Sequence, residues 1–249
     1  MKQYKDVTFD FTGKVAVVTG GSSGIFQGVA RGLGQAGAKV AIVDIADCSE
    51  TIKMVEDGGS EAKAYTCNVA DTSQIVATVK QIIADFGKID ILVNGAGILR
   101  RAKAEEIKEE EWQLVLDVQL NGTFFMCREV GRHMIERGEG GKIVNCSSMN
   151  AFFGGYTVAS YSAAKAGITQ MTKGLCNEWA VHGINVNAVA PGWFVTQITR
   201  PVFENPERGP GITKRIPAGH WGDPEEMAGP VLCLCSEAAD YLHGVILPV

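Results

Sequence analysis

Lys14-Val15-Ala16-Val17-Val18-Thr19-Gly20-Gly21-Ser22-Ser23-Gly24-Ile25-Phe26-Gln27-Gly28 is an apolar, β-branched run that leads straight into a glycine-rich turn. A helical pattern follows, with Val29, Leu33 and Ala36 on one side, and it stops at Gly37. Strand, glycine turn and helix in succession make a place for a pyrophosphate. Glycines let the backbone turn tightly, and a helix N-terminus offers unpaired N–H groups and the positive end of its dipole. The next strand, Lys39 to Val43, ends in Asp44, about twenty residues beyond the turn. A carboxylate there accepts hydrogen bonds from both hydroxyls of an adenosine ribose and repels a 2′-phosphate, so the expected cofactor is NAD rather than NADP. The plain alternative for Asp44 is a solvated strand end or a helix cap.

The alternation continues along the chain. Ala62 to Cys67 reads as a strand, and Thr72 to Phe86 as an amphipathic helix capped by Asp71 or Thr72. Ile91 to Val93 is a short buried strand leading to Asn94-Gly95-Ala96-Gly97, followed by a long helix from about Glu109 to Arg137. Lys142 to Cys146 is the next strand, with Ser148 just after it. A helix from about Ser160 to Val181, a strand from Ile184 to Val189 and Pro191-Gly192 come next. Residues 196–217 are less regular, with prolines and charges. A helix from about Pro224 to Cys235 and a strand from Val245 to Leu247 close the sequence. Repeated β-α-β units predict one α/β domain over 1–249: a doubly wound, Rossmann-like parallel sheet of about seven strands, with helices on both faces. Residues 1–12 form an N-terminal extension. In such a sheet the ligand lies at the carboxyl ends of the strands, where the glycine turn, Asp44, Asn94, Ser148 and Pro191-Gly192 all fall.

Composition sets the frame. The chain has 249 residues, 46% hydrophobic and 20% charged, as in an ordinary globular domain. No apolar run reaches the ~20 residues of a membrane span, and Met1 to Asp6 has no apolar signal segment behind it. Net charge is −5, without a basic run or interleaved basic and aromatic residues, which disfavours nucleic acid as a partner. The seven cysteines are odd in number and scattered, so they read as buried free thiols of a reducing cytoplasm. Cys233-x-Cys235 is too short for a usual zinc pair and reads as core packing, and no metal is expected.

Ser147-Ser148 and Tyr161-Ser162-Ala163-Ala164-Lys165 carry the chemistry. Tyr161 and Lys165 are four apart, which on a helix places them on one face about a turn apart. An ammonium there stabilises negative charge on the phenol oxygen and suits Tyr161 to general acid/base work. Ser148 supplies a hydroxyl to a substrate oxygen on which charge develops.

These residues resemble the short-chain dehydrogenase/reductase family over essentially the whole length. The resemblance rests on Thr19-Gly20-x-x-x-Gly24, Asp44, Asn94-x-Ala96-Gly97, Ser148, Tyr161-x-x-x-Lys165 and Pro191-Gly192-x-x-x-Thr196, all in order. It implies hydride transfer between a nicotinamide and a carbonyl or alcohol carbon. Tyr161 would pass the proton, Lys165 would also bind the nicotinamide ribose, and Ser148 would hold the reacting oxygen. Cofactor contacts would come from Gly20, Ser22, Ser23, Gly24, Ile25, Asp44, Asn68, Val69, Asn94, Ala96 and Gly97. Pro191, Gly192, Phe194 and Thr196 would grip the carboxamide end. A homotetramer paired through the helices at 109–137 and 160–181 is implied as well. Gly97-Ile98-Leu99-Arg100-Arg101, Asn177-Glu178-Trp179-Ala180, Arg215-Ile216-Pro217-Ala218-Gly219 and Tyr241-Leu242-His243-Gly244 are similar to segments of bacterial 2-deoxy-D-gluconate 3-dehydrogenases, 2-dehydro-3-deoxy-gluconate 5-dehydrogenases and gluconate 5-dehydrogenases. The expected substrate is then a small polyol or sugar acid. Arg100 or Arg101 would pair with its carboxylate in a bidentate fork, with Met149, Asn150 and Trp193 nearby and 196–217 as the substrate loop.

The chain departs from the family's pattern at several places. Phe26 stands where the turn has its third glycine, and a ring there is expected to collide with the cofactor or the neighbouring loop unless Gly95, where a second Asn is usual, leaves room for it. Gln119 aligns with the family's catalytic Asn and keeps its amide on one more methylene. Asn121, about 200° further round the helix, is a poor substitute. Asn68 replaces an Asp near the adenine, and Leu247-Pro248-Val249 stands where an Asp-Gly-Gly turn is usual. Two other functions therefore stand beside the sugar-acid reading. One is a cofactor-impaired member serving as a binding or scaffold protein. The other is a reductase of a 3-oxoacyl or steroid carbonyl, with Phe152, Phe153, Trp193 and Phe194 lining an apolar cleft.

Overall fold

A computed structural model describes residues 9–249. Seven parallel strands lie in the order β3-β2-β1-β4-β5-β6-β7. They are β1 Val15–Thr19, β2 Lys39–Asp44, β3 Ala62–Thr66, β4 Ile91–Asn94, β5 Gly141–Cys146, β6 Ile184–Ala190 and β7 Ile246–Pro248. The helices are α1 Gly24–Gln35, α2 Ser49–Asp57, α3 Thr72–Phe86, α4 Glu109–Leu116, α5 Gly122–Arg137, α6 Asn150–Phe153, α7 Ala159–Trp179, α8 Arg200–Phe203, α9 Arg208–Thr213 and α10 Ala228–Cys235.

The central strands are continuous apolar runs because both faces of the sheet are covered. Alternate side chains then serve opposite layers. Ala16 and Val18 join Val29 and Leu33 of α1 and Val231 of α10 on one face. Val17 joins Ile75 and Val79 of α3, Met126 and Val130 of α5 and Leu175 of α7 on the other. Asp71 is the cap of α3: its Oδ1 accepts from the N–H groups of Ser73 (2.9 Å) and Gln74 (3.3 Å).

Differences from the sequence reading have local causes. α2 was not expected, because Thr51 and Val55 are its only buried side chains and leave little periodicity to read. The helix expected over 109–137 is continuous but carries one π turn, Asp117–Asn121, between α4 and α5. That expected from Pro224 begins as a 3-10 turn, Pro224–Met227, with a capping box between Asp223 and Glu226. β7 lies one residue later than expected, and the irregular stretch 196–217 contains the short helices α8 and α9. Most of the 1–12 extension lies outside the described residues, but Phe11 is buried and its N–H donates to Ala36 O (2.7 Å).

All seven cysteines are free, with Cys146 and Cys233 half-buried and the others buried. Burial pushes the Cys127 and Cys235 thiols up to about 12, so neither is a ready nucleophile. Beneath the sheet, at the end away from the glycine turn, Asp90 is 6% exposed. It accepts from Val15 N–H (2.9 Å) and pairs with Lys88 (3.0 Å) and Arg137 (3.1 Å). Asp90→Ala leaves the largely buried Arg137 with only the exposed Glu139 (3.2 Å) as an ion-pair partner among the described residues and orphans the Val15 N–H. It should cost about 3 kcal/mol in urea unfolding, and an unchanged midpoint would show that the pairing contributes nothing.

Candidate active site

Between β1 and β4 the strand order reverses, and a cleft of about 1430 Å3 opens at the carboxyl ends of the strands. Of the residues expected to hold the cofactor, only Asn94 does not line it. Asn94 lies behind the wall, 3% exposed, donating from Nδ2 to Asn145 Oδ1 (2.9 Å).

At one end of the cleft lies the start of α1. Its N-cap, Ser23, makes no side-chain cap hydrogen bond, and the first turn has no acidic residue. The N-terminal N–H groups thus face the cleft without a capping partner, which suits a pyrophosphate. Gly20 has φ +69°, and a Cβ on it would stand 2.7 Å from Ala96 Cα, so the turn needs glycine for conformation and for space alike. At the end of β2, Asp44 accepts from three backbone N–H groups: Ser22 (3.1 Å), Ile45 (2.7 Å) and Ala46 (3.1 Å). Its carboxylate is held in place, and Ile45, Ala46, Cys67 and Asn68 along the same end carry no positive charge. A carboxylate there offers acceptors to ribose hydroxyls. Asn68 uses its Oδ1 in the turn, accepting from Ala70 N–H (3.0 Å).

At the other end Ser148 follows β5 directly, 7% exposed, its Oγ accepting from Asn150 N–H (3.2 Å). Tyr161 and Lys165 lie one turn apart on α7, with Lys165 Nζ 5.4 Å from the Tyr161 ring centre. Lys165 is 3% exposed and donates to Cys146 O (2.7 Å). Ser147 Oγ donates to Lys165 O (3.3 Å) and bonds Thr169 Oγ1 (2.8 Å), which ties the end of β5 to α7. Hydroxyl, phenol and ammonium therefore belong to one rigid corner.

Gln119 sits in the π turn, 2% exposed. Its Nε2 donates to Ile98 O (2.8 Å), while its Oε1 has no partner. The longer amide thus holds the loop after β4. Asn121 spends its amide on Asp117 Oδ1 (2.8 Å).

Phe26 is largely buried at the wall of the cleft. It is 7% exposed and packs in the apolar layer with Val18 and Val93 while bordering the cleft. Its ring occupies the space that a Cβ at Gly95 would need. The missing side chain at 95 therefore houses the extra one at 26: the ring does not collide with the neighbouring loop, because residue 95 is glycine as the sequence reading requires.

Arg101 lines the cleft; Arg100 does not, and its Nη1 donates to Leu99 O (3.1 Å). Met149, Asn150 and Trp193 line the cleft as well, as do Phe153 and Phe194, while Phe152 stays outside it. Trp193 stacks obliquely on Trp221 (ring centres 4.8 Å apart) in a small apolar cluster with Val202 and Ile212, which seats α8 and α9 beside the cleft. Arg208, Arg215 and His220 also border it. Sequence reasoning gave none of the three a role of its own, although Arg208 and Arg215 lie in the expected substrate loop 196–217 and Arg215 opens one of the segments similar to the sugar-acid enzymes; His220 lies just beyond that loop.

The family model described as Enoyl-(Acyl carrier protein) reductase matches residues 20–249. The chain is 43% identical over 242 residues to the 2-dehydro-3-deoxy-D-gluconate 5-dehydrogenase of Dickeya dadantii, covering 97% of this chain and 96% of that protein. It is 39% identical to the 5-keto-D-gluconate 5-reductase of Escherichia coli, covering 96% and 94%. A crystal structure of a gluconate 5-dehydrogenase from Burkholderia cenocepacia, in complex with NADP and tartrate, superimposes with TM-score 0.92 at 37% identity, covering 97% and 95%. The chain belongs to the short-chain dehydrogenase/reductase family. It is an oxidoreductase acting on CH–OH groups.

The Phe26–Gly95 pairing predicts strong coupling. Gly95→Asn should overpack the ring and cost about 2 kcal/mol. Phe26→Gly should leave a void and cost about 4 kcal/mol. The double variant should recover at least about 1 kcal/mol relative to the sum in denaturant unfolding. Simple additivity would show that the two positions do not share space.

Proposed function

We propose that the chain transfers a hydride between NAD(H) and a secondary alcohol or ketone of a sugar acid of the deoxy-keto-gluconate class. The observation that carries this is the convergence of Ser148, Tyr161 and Lys165 at one end of a cleft whose other end holds the uncapped α1 and Asp44. The nicotinamide, when bound, supplies or takes up the hydride. Tyr161 holds at its phenol oxygen the proton that passes to or from the substrate oxygen. Ser148 Oγ donates a hydrogen bond to that oxygen as charge builds on it. Lys165, fixed by Cys146 O, keeps a buried ammonium beside the Tyr161 ring and stabilises the charge that develops there. Asp44 supports NAD here, in contrast with the NADP in the Burkholderia relative. Arg101 at the cleft wall, with the relatives named above, supports an acidic substrate.

Exposed Leu114 and Phe124 on α4 and α5 support pairing of subunits into a homotetramer, and the free thiols support a cytoplasmic location. No helix among the described residues is long and apolar enough to cross a membrane.

The activity reading is tested by the reduction of 5-keto-D-gluconate with NADH. Tyr161→Phe should lower kcat by about a thousandfold with NADH affinity near wild type, and retained turnover would remove Tyr161 from the mechanism. In the same titrations NADH should bind about 30-fold more tightly than NADPH, and equal affinities would overturn the role given to Asp44. Light scattering should report four chain masses; a monomer would remove the tetramer.

A further inference from the structure

Arg101 lies on the loop between β4 and α4, and Arg208 opens α9. Both border the cleft that Tyr161 also lines. Neither guanidinium makes an ion pair or a side-chain hydrogen bond among the described residues, although Arg31, Arg128, Arg132, Arg137 and Arg200 all have carboxylate partners. Three side-chain carboxylates also line the cleft, and none pairs with either arginine: Asp44 accepts backbone N–H groups at the end of β2, Glu226 Oε2 accepts from Asp223 N–H (2.7 Å), and Glu207 forms no ion pair among the described residues. Arg101 is close enough to its neighbours to respond to them. Burial first, and the Arg208 charge second, hold it below the usual arginine range, while Tyr161 acts in the opposite sense. Both arginines remain cations near neutral pH.

Both arginines are solvent-exposed, so water screens their repulsion, and two unpaired guanidinium groups lining one cleft give an anion a favourable place. They also present planar forks that match a carboxylate on both of its edges. We propose that Arg208 is a specificity-determining residue: with Arg101 it clamps the carboxylate of the substrate, so that an acid is held there and a neutral polyol is not. The clamp rests on the reading of the chain as a sugar-acid oxidoreductase. It adds a residue from a second segment and gives the short helices α8 and α9 a function in substrate choice. Gln119 is a positioning residue for this site, because its bond to Ile98 O steadies the loop that carries Arg101.

The test compares two substrates of the same enzyme: 5-keto-D-gluconate, and L-sorbose, which has a hydroxymethyl group in place of the carboxylate. In NADH-dependent reduction by Arg208→Leu, the loss of kcat/KM on the acid should exceed the loss on L-sorbose by about 30-fold, and it should appear in KM. Arg208→Lys should restore part of it, since the charge returns without the fork. Equal losses on the two substrates would overturn the clamp and make Arg208 a structural residue of α9. A second measurement is independent of turnover: calorimetric titration of D-gluconate into the NADH-loaded protein. Binding by wild type that weakens about 30-fold in Arg208→Leu supports the clamp even when no keto acid is reduced, an outcome that would remove only the activity reading. D-gluconate binding that is undetectable in wild type, or unchanged in Arg208→Leu, overturns the clamp.

Discussion

The contact between the ends of β1 and β4 sets the geometry of everything else in the cleft. Thr19 Oγ1 accepts from the N–H groups of Gly95 (3.0 Å) and Ala96 (3.1 Å), and Gly20 N–H donates across to Val43 O (2.8 Å). Gly20 then runs so close to Ala96 that no side chain fits between them. This close approach fixes where α1 begins and where the loop after β4 leaves the sheet. The first decides where a pyrophosphate can sit. The second, through the Gln119 bond to Ile98 O, decides where Arg101 stands.

Around that contact the chain has exchanged volume rather than lost it. Phe26 adds a ring where the family keeps glycine, and Gly95 removes a side chain at the spot the ring fills. Gln119 adds a methylene, and its amide packs against Gly97, a glycine of the family's own pattern, where a Cβ would stand 2.7 Å from Nε2. Dense packing makes such changes workable only in pairs, because an unpaired addition strains the wall and an unpaired deletion leaves a void.

The chemical corner and the substrate end are built differently. Ser148, Tyr161 and Lys165 are locked between β5 and α7 by Ser147, Thr169 and the carbonyl of Cys146. α8 and α9 are short and rest on a local cluster of Trp193, Trp221, Val202 and Ile212 outside the two layers of the sheet. A rigid corner suits proton handling, which tolerates little displacement. A separately seated segment suits discrimination between substrates, since it can shift without disturbing the strands.

The sequence by itself determined the doubly wound sheet, because β-branched runs alternating with helical periodicity allow few other folds, and the order of its motifs placed the glycine turn, Asp44, Ser148, Tyr161 and Lys165 at one edge. Local signals of that kind depend on spacing along the chain, and spacing survives in the linear text. Tertiary structure alone decided which of Arg100 and Arg101 faces the cleft and that Asn94 lies behind its wall, whereas the shared volume of Phe26 and Gly95 was already suggested by two departures that offset each other in the sequence. Tertiary structure alone also turned the irregular stretch 196–217 into α8 and α9 and brought Arg208 toward Arg101. Those outcomes depend on the direction in which a side chain leaves a loop and on what occupies the space it enters, and neither quantity has a period or a fixed spacing in sequence.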